Sequence, residues 1–434
     1  MVELKGRLGE YRTFGGGMRK GLFIVLFLAL AATAFGQSRV VVVFDTNSVV
    51  GTTIDTTVVK IMMNVGIKAL TDSTTVGQAW KGIFPGLTVS QNICIKLNCI
   101  NSALSSHPQV TTSILRGLTQ MQLGTATFRR WRLIGFDRSN GELTGAGYTI
   151  RTDTLGMRCT GNWGYQSKVY SILGTNEQFS RVLGDSSAFM INLCVLKDHS
   201  GPAYTLNMKN HYGTINNPGS MAHDPTTGRR QIPELIRVIR DSLGRKEKIY
   251  IIDALFAIYD GGPGGSPQAI PRIIVLSKDP VACDSMGVEM INNLRRAHGL
   301  QPKDSRYLAY AESIGLGRRA YQLIRINNPS AVEQGPRGED PSLGLGLLPG
   351  QPNPFSEMTE IAFLLPKAGE ASVEIFNVLG ARVQTLARGT FPAGRHTATW
   401  DGQSASGHPA PSGVYFIRLS FGTASIERSV SLIH

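Results

Sequence analysis

Phe189-Met190-Ile191-Asn192-Leu193-Cys194-Val195 runs without a break into Leu196-Lys197-Asp198-His199, and after a Gly-Pro step Lys209-Asn210-His211-Tyr212-Gly213 follows. A short apolar run of this kind reads as a buried strand. Ionisable groups delivered at its carboxyl end stand where open α/β sheets place their ligands. On either side, apolar runs alternate with amphipathic ones. Upstream, Val40–Phe44 reads as a strand, Thr57–Leu70 as a helix with Val58, Ile61, Met62 and Val65 on one face, and Ile93–Ile100 as a strand. Pro108–Met121 then reads as a helix, and Trp131–Phe136 as a strand ending at Asp137-Arg138. Downstream come a helix over Ile232–Leu243, entered through Pro233, a strand over Ile249–Ile252 ending at Asp253, and a strand over Ile270–Leu276 ending at Lys278-Asp279-Pro280. Val281–Ala297 closes the series as a helix. The alternation predicts an α/β domain over residues 37–326, with a largely parallel sheet and helices on both faces.

The 434 residues are enough for two domains, and 42% hydrophobic with 17% charged residues fits a folded chain with a substantial core. The formal charge of +13 comes from cations scattered along the length. No Lys/Arg run exceeds two residues and no aromatic-interleaved basic stripe occurs, which argues against nucleic acid as a partner. Small anionic molecules or an anionic cell surface use the charge more economically. Met18-Arg19-Lys20, the apolar Leu22–Ala32 and Ala34-Phe35-Gly36 form an export signal with cleavage expected after Gly36, and the residues ahead of Met18 read as a misassigned start. Its apolar part is short for a span of about 20 residues, so no transmembrane segment is expected in the mature chain. The five cysteines (Cys94, Cys99, Cys159, Cys194 and Cys283) are odd in number and irregular in spacing, and form no Cys-x-x-Cys pair. Buried free thiols are the expectation.

Residues 327–350 are rich in Pro and Gly and read as a linker. Beyond it, alternating runs at Glu360–Leu365, Ala371–Phe376, Arg382–Leu386, His396–Trp400, Val414–Leu419 and Ile426–Leu432 predict a small all-β Ig-like sandwich over 351–434.

Four motifs in that tail, Pro352-Asn353-Pro354-Phe355, Ile375–Gly380, Trp400-Asp401-Gly402 and Ser412–Leu419, resemble the Ig-like domain of flagellar hook-capping proteins. The resemblance is to the version used as a C-terminal type IX secretion sorting signal. It implies recognition by outer-membrane secretion machinery and a secreted or cell-surface destination reached through the periplasm, and leaves open whether the tail is then removed or the protein stays surface-attached. The position also suits an adhesive or spacer module. The larger domain resembles the domain-of-unknown-function 362 family. The resemblance rests on Lys96-Leu97-Asn98 with His107-Pro108, on Asp137-Arg138, on Lys197-Asp198-His199 with Lys209–Gly213, and on Ser277–Asp284 after Asp253-Ala254. Some members carry a ferredoxin-like module, for which this chain lacks the cysteines.

These residues compose a candidate site for a small anionic ligand. His199, Lys197 and Lys209 are the candidate catalytic residues, and Lys96, Asn98, Asp137, Arg138, Asn210 and Asp253 the candidate ligand-binding ones. A buried lysine needs an acidic partner, so Lys96 either pairs internally with Asp137 or Asp253 or joins Lys197 and Lys209 around a ligand anion. His199 and His211 could bind metal with Asp198, Asp253 or Asp284, or work as acid–base groups; their spacing excludes one helix face. Asp279 reads as a helix cap and Asp284 as a carboxylate favoured by the helix dipole. The glycine-rich Asp260–Gly265 lacks a phosphate-loop ending and reads as a mobile lid or turn. A non-catalytic surface module binding a metabolite or metal, and a purely structural protein, stand beside the enzyme reading.

Overall fold

The computed structural model describes residues 37–201, 203–221, 227–330, 345–348, 350–377 and 380–433. The export signal and most of the linker lie outside the described residues. In chain order the strands of the first part's large sheet are β1 (Ser38–Phe44), β2 (Ile93–Lys96), β3 (Leu133–Asp137), β4 (Arg158–Gly161), β5 (Phe189–His199), β6 (Ala203–Thr205), β7 (Glu247–Ile258), β8 (Ile273–Ser277) and β9 (Tyr321–Asn327). Its main helices are α1 (Thr56–Thr71), α2 (Val76–Ile83), α3 (Pro108–Leu118), the one-turn α4 (Asn207–Asn210), α5 (Gly228–Ser242), α6 (Pro280–Ala297) and α7 (Arg306–Ser313). Aspartate side chains start the two longest helices, α1 and α6, the second as the sequence suggests. Asp55 accepts the Thr57 and Val58 N–H groups at 2.7 and 3.0 Å. Asp279 accepts those of Val281 and Ala282 at 2.8 and 3.0 Å, satisfying donors that no helical carbonyl reaches.

The result is a mixed α/β arrangement around a large sheet. Strands β4, β3, β2, β5 and β7 lie side by side and parallel. β8 then runs antiparallel to both β7 and β1, and β1 pairs parallel with β9. The reversal at β8 has a local cause. No helix intervenes between β7 and β8, and a return without a crossover gives an antiparallel neighbour. Alternate residues of each strand feed two hydrophobic clusters. Val41, Val43, Ile95 and Leu193 join residues of α1, α2 and α3 in one. Val40, Val42, Cys94 and Cys194 join residues of α5, α6 and α7 in the other. Each fully buried valine of β1 contributes about 1.5–3 kcal/mol by leaving water.

Several strands differ in their bounds from the sequence expectation; β7, expected to end at Asp253, runs on to Ile258 and so carries Asp253 in mid-strand, and two others bear on the site. β2 stops at Lys96 rather than Ile100: the Leu97 N–H still reaches the Phe136 carbonyl, but the N–H groups of Asn98 and Cys99 then go to the Ser106 and Asp137 side chains. β5 continues four residues past Val195 and carries Lys197-Asp198-His199 within a hairpin with β6.

The C-terminal part contributes β10 (Gly346–Leu347), β11 (Thr359–Leu365), β12 (Gly369–Phe376), β13 (Arg382–Phe391), β14 (Gly394–Trp400), β15 (Gly413–Phe421) and β16 (Ala424–Leu432). They form two antiparallel sheets around buried Trp400, whose ring meets Phe355 and Tyr415 at 5.3 and 4.9 Å. One sheet does not end there. Its strand β16 pairs with β9 through Ile324↔Arg428 and Ile326↔Ile426, so the order β13-β12-β15-β16-β9-β1-β8-β7-β5-β2-β3-β4 is continuous. Asn327, read from the sequence as the first linker residue, is the last residue of β9. Arg428 sits buried at this seam. It bonds the Leu347 carbonyl and approaches Asp72 at 3.6 Å, while Asp72 also pairs with Arg39.

Candidate functional site

The carboxyl ends of β2, β3, β5 and β7 bring the predicted polar residues together. Lys96, the last residue of β2, is buried. Its Nζ donates to Asp137 Oδ1 and to the Leu97 carbonyl, both at 2.6 Å, and to Asn210 Oδ1 at 3.4 Å. Asp137, the last residue of β3, also accepts the backbone N–H groups of Cys99 (2.6 Å) and Arg138 (2.9 Å). The Lys96–Asp137 pair is therefore an internal ion pair with its remaining valences filled, which such a pair needs in order to persist when buried. Backbone closes over it. A Cβ on Gly213 would stand 2.8 Å from Lys96 Nζ and 2.9 Å from Asp137 Oδ1, so only glycine fits there. The Arg138 guanidinium turns away to Glu142.

Asn210 ties the end of β2 and the loop after it to β5. Its Oδ1 accepts from Asn98 Nδ2 at 3.1 Å, and its Nδ2 donates to Asn192 Oδ1 at 2.9 Å. Asn192 lies in the middle of the opening apolar run and in turn donates to the Asn207 carbonyl at 2.9 Å. Asn98 Oδ1 is buried and finds no hydrogen-bond partner among the described residues. Such an acceptor costs about 1–3 kcal/mol if left unmet.

The two other lysines differ from Lys96. Lys197 is fully buried and donates to the Leu104 carbonyl at 2.9 Å. Burial pushes its ammonium down to about 8, and the positive charge of Lys96 adds to that. Lys209 lies 4.6 Å over the Tyr212 ring, and burial followed by the charge of Lys197 brings it down to about 8 as well. Among the described residues no carboxylate lies within ion-pair distance of either; the carboxylate nearest Lys96 is committed to Lys96.

Sequence reading did not give His107 a role in the site. Its Nδ1 lies 2.8 Å from Asp253 Oδ2, and its backbone N–H donates to the same oxygen at 2.9 Å. Asp253 is fully buried. Burial alone would lower the His107 pKa, but the charge and hydrogen bond of Asp253 together outweigh it and hold the ring above its usual range. Lys197 exerts an opposing charge on this histidine, so the pair belongs to the same cluster. The signal available in the sequence was His107-Pro108 itself; Asp253 was read as a ligand-binding residue, but nothing pointed to its pairing with His107, 146 positions away.

His199 and Asp198 hold loops. Asp198 accepts the Gly262 N–H at 2.7 Å and pairs with Lys303. The Lys303 ammonium also donates to the His199 carbonyl at 3.0 Å, and His199 Nδ1 accepts the Gly201 N–H at 3.0 Å. The glycine-rich segment is thereby fastened: Asn101 Nδ2 donates to the Pro263 and Gly265 carbonyls at 3.0 and 2.9 Å. His211 lies elsewhere. Its Nε2 is 2.8 Å from Glu247 Oε1 at the amino end of β7. Glu247 is in register with Met190, nine residues before His199 on β5 and so about 30 Å away along the strand. The two histidines cannot share a metal ion. Among the described residues no three His, Cys, Asp or Glu side chains gather as a metal site requires. Asp284 caps α4, accepting the Asn207 and Met208 N–H groups at 2.9 and 3.2 Å, and burial raises it to about 7. All five cysteines are free and buried.

With this geometry in place, comparison with known proteins locates two families. Residues 172–289 match the family model of the domain of unknown function DUF362. Residues 357–425 match that of the FlgD Ig-like domain. The first span contains Lys197, His199, Lys209, Asn210 and Asp253; Lys96, Asn98, His107, Asp137 and Arg138 precede it. Among solved structures, FlgD from P. aeruginosa is 21% identical over 17% of this chain and 61% of its own, with a TM-score of 0.16. Dimeric latent PorU from Porphyromonas gingivalis is 19% identical over 22% of this chain and 10% of its own, with a TM-score of 0.20. PorZ, a surface component of the type-IX secretion system of the same organism, is 20% identical over 21% of this chain and 12% of its own, with a TM-score of 0.15. The chain thus spans less than two thirds of each of these proteins. No curated protein matches it. No helix of the described residues is long and apolar enough to cross a membrane.

Proposed function

We propose that the first part of the chain binds a small anionic substrate over the carboxyl ends of β2, β5 and β7 and carries out proton-transfer chemistry on it. One observation carries the reading: two crowded ammonium groups, Lys197 and Lys209, lack a carboxylate of their own beside a buried acceptor, Asn98 Oδ1, that lacks a donor. An anion bearing a hydroxyl or amino group would meet all three needs at once. Asn98 and Asn210 orient it, and Lys96–Asp137 serves as a fixed support beneath. The acid–base role falls to His107, which Asp253 holds in one orientation, with Lys197 poised near neutrality as a second proton-transfer group. The cysteines are unsuited as nucleophiles, since burial raises their thiols. A non-catalytic capture module is the second reading, favoured by the completeness of the Lys96–Asp137–Asn210 network before any ligand arrives. Capture of small acids from a metabolite mixture, followed by titration calorimetry, tests the site. Binding that is lost in Lys197→Met and Lys209→Met supports it, and turnover lost in His107→Gln with binding retained separates enzyme from capture module. Anion binding equal in all variants would refute the site.

The C-terminal part we propose to be a sorting tail that delivers the protein to the cell surface through outer-membrane secretion machinery. The support is the set of tail motifs together with the FlgD-type Ig-like match. Cell fractionation of a chain lacking residues 345–434 checks this; surface delivery of the shortened chain would refute it.

A further inference from the structure

The opposite, amino-terminal end of the sheet carries a feature that the reading above leaves unused. A cavity of about 250 Å³ opens between the carboxyl end of α5, the first residues of β7 and the start of α6. Its wall is apolar, formed by Ile236, Ile239, Leu243, Tyr250 and Leu316. Around that wall stand Arg240, Arg245, Lys246, Lys248 and Lys278. Glu247 is the one carboxylate on the lining, and it is already engaged by His211 and by the Tyr250 hydroxyl.

The cations are partly fixed in place. Arg240 pairs with Asp241 and donates to the Gly315 carbonyl at 2.7 Å. Lys246 donates to the Gly184 carbonyl at 2.7 Å, and the Lys248 ammonium stands 5.8 Å from the Phe189 ring centre. Arg245 and Lys278 stand exposed at the rim. Arg245 is held at φ +55° directly after Gly244, with its N–H bonded to the Arg240 carbonyl at 3.0 Å. A left-handed conformation at a residue with a side chain is costly, so the turn that presents this guanidinium is fixed by its surroundings. With Arg240 paired to Asp241 and Glu247 already engaged, Arg245, Lys246, Lys248 and Lys278 gather more positive charge than the lining offsets, and a bound anion relieves that repulsion. The apolar wall asks in addition for an apolar body.

We propose that this cavity binds a small apolar acid: a single anionic head, met by the rim cations, on a compact hydrocarbon or aromatic body that fills the wall. Its volume lies below the roughly 300–1,000 Å³ of ordinary ligand pockets, so the body must be small. The cavity meets β5 at Met190, seven residues or about 23 Å before Lys197 along the strand, and none of Lys96, Lys197 and Lys209 lines it, so either site can fail without the other.

Titration calorimetry on the full chain with three probes decides the matter. Hexanoate carries head and body, hexan-1-ol the body alone and inorganic phosphate a head alone. Hexanoate is expected to bind saturably, with hexan-1-ol and phosphate each weaker by about tenfold or more, the worth of one charge-assisted contact or of the buried body. The double substitution Arg245→Ala/Lys278→Ala, at exposed positions that folding does not need, is expected to weaken hexanoate by about tenfold as well. Leu243→Trp, which fills the cavity from a half-buried position, is expected to abolish binding. Phosphate equal to hexanoate, hexan-1-ol equal to hexanoate, an unchanged affinity in the double variant, or no saturation at millimolar ligand would each overturn the proposal.

Discussion

Lys197 concentrates the energetics of the candidate site in one side chain. Its ammonium has a pKa near 8 in the folded chain against 10.5 when unperturbed, so folding disfavours the charged form. The penalty, roughly 3 kcal/mol from a shift of that size, is present in full below about pH 8 and vanishes as pH rises toward 10.5. Replacing the side chain by an apolar one of similar length removes the penalty and forfeits a hydrogen bond of about 1 kcal/mol. Lys197→Met is therefore expected to raise stability at pH 7 by about 1–3 kcal/mol while abolishing anion binding. Urea unfolding measures the first effect, and a destabilised variant would show that the lysine is structural. The same two lysines set a pH dependence. Anion binding needs both ammonium groups charged, so affinity should be level below about pH 7. Above about pH 8 it should fall by up to tenfold per unit for each amine that must take up a proton. An affinity that stays flat to pH 9.5 would remove Lys197 and Lys209 from the site.

At the scale of elements, the decisive pairing is β9 with β16. Without the tail, β9 becomes the edge of a long sheet, presenting the unpaired backbone of Ile324 to Asn327, with the Ile324 and Ile326 side chains beside it. Open edges of this kind recruit other strands. A chain ending before residue 345 is expected to form dimers or larger species on size-exclusion chromatography with light scattering, where the full chain runs as it did before truncation. The same element shows where sequence reading stops. Val40–Phe44, the Phe189–Val195 run and the six tail strands announce themselves by continuous or alternating apolar residues, a signal that is local. Tyr321-Gln322-Leu323-Ile324-Arg325-Ile326-Asn327 also alternates, but with Gln322 and Arg325 in it and a Pro-rich stretch after it, and its partners are 280 residues upstream and 100 downstream. The site divides in the same way. Lys96, Asp137 and Asn210 were legible because strand ends in an α/β sheet converge. The His107–Asp253 contact was not, because a loop N–H and a mid-strand carboxylate meet only through the tertiary fold.

For the whole molecule, the continuous sheet and the shared hydrophobic cluster running from Val41 to Leu432 predict joint unfolding. Trp80 lies in the first part and Trp400 in the tail, each fully buried. Chains retaining one or the other as the single tryptophan should report coincident urea transitions, as two-state behaviour demands. Transitions separated on the urea axis would mean that the two parts are energetically independent.

The seam also separates two events that are easily taken for one. A protease acting in the Pro- and Gly-rich residues 331–344 would sever the covalent connection and leave the β9–β16 pairing in place. The terminal segment would stay zipped along Ile324–Asn327, with Arg428 still anchored beside Asp72. Nicked protein would then migrate as one body in native buffer and come apart only in denaturant. Shedding the tail would need a mechanical pull or a competing strand, so a cut alone would leave a noncovalent two-chain particle.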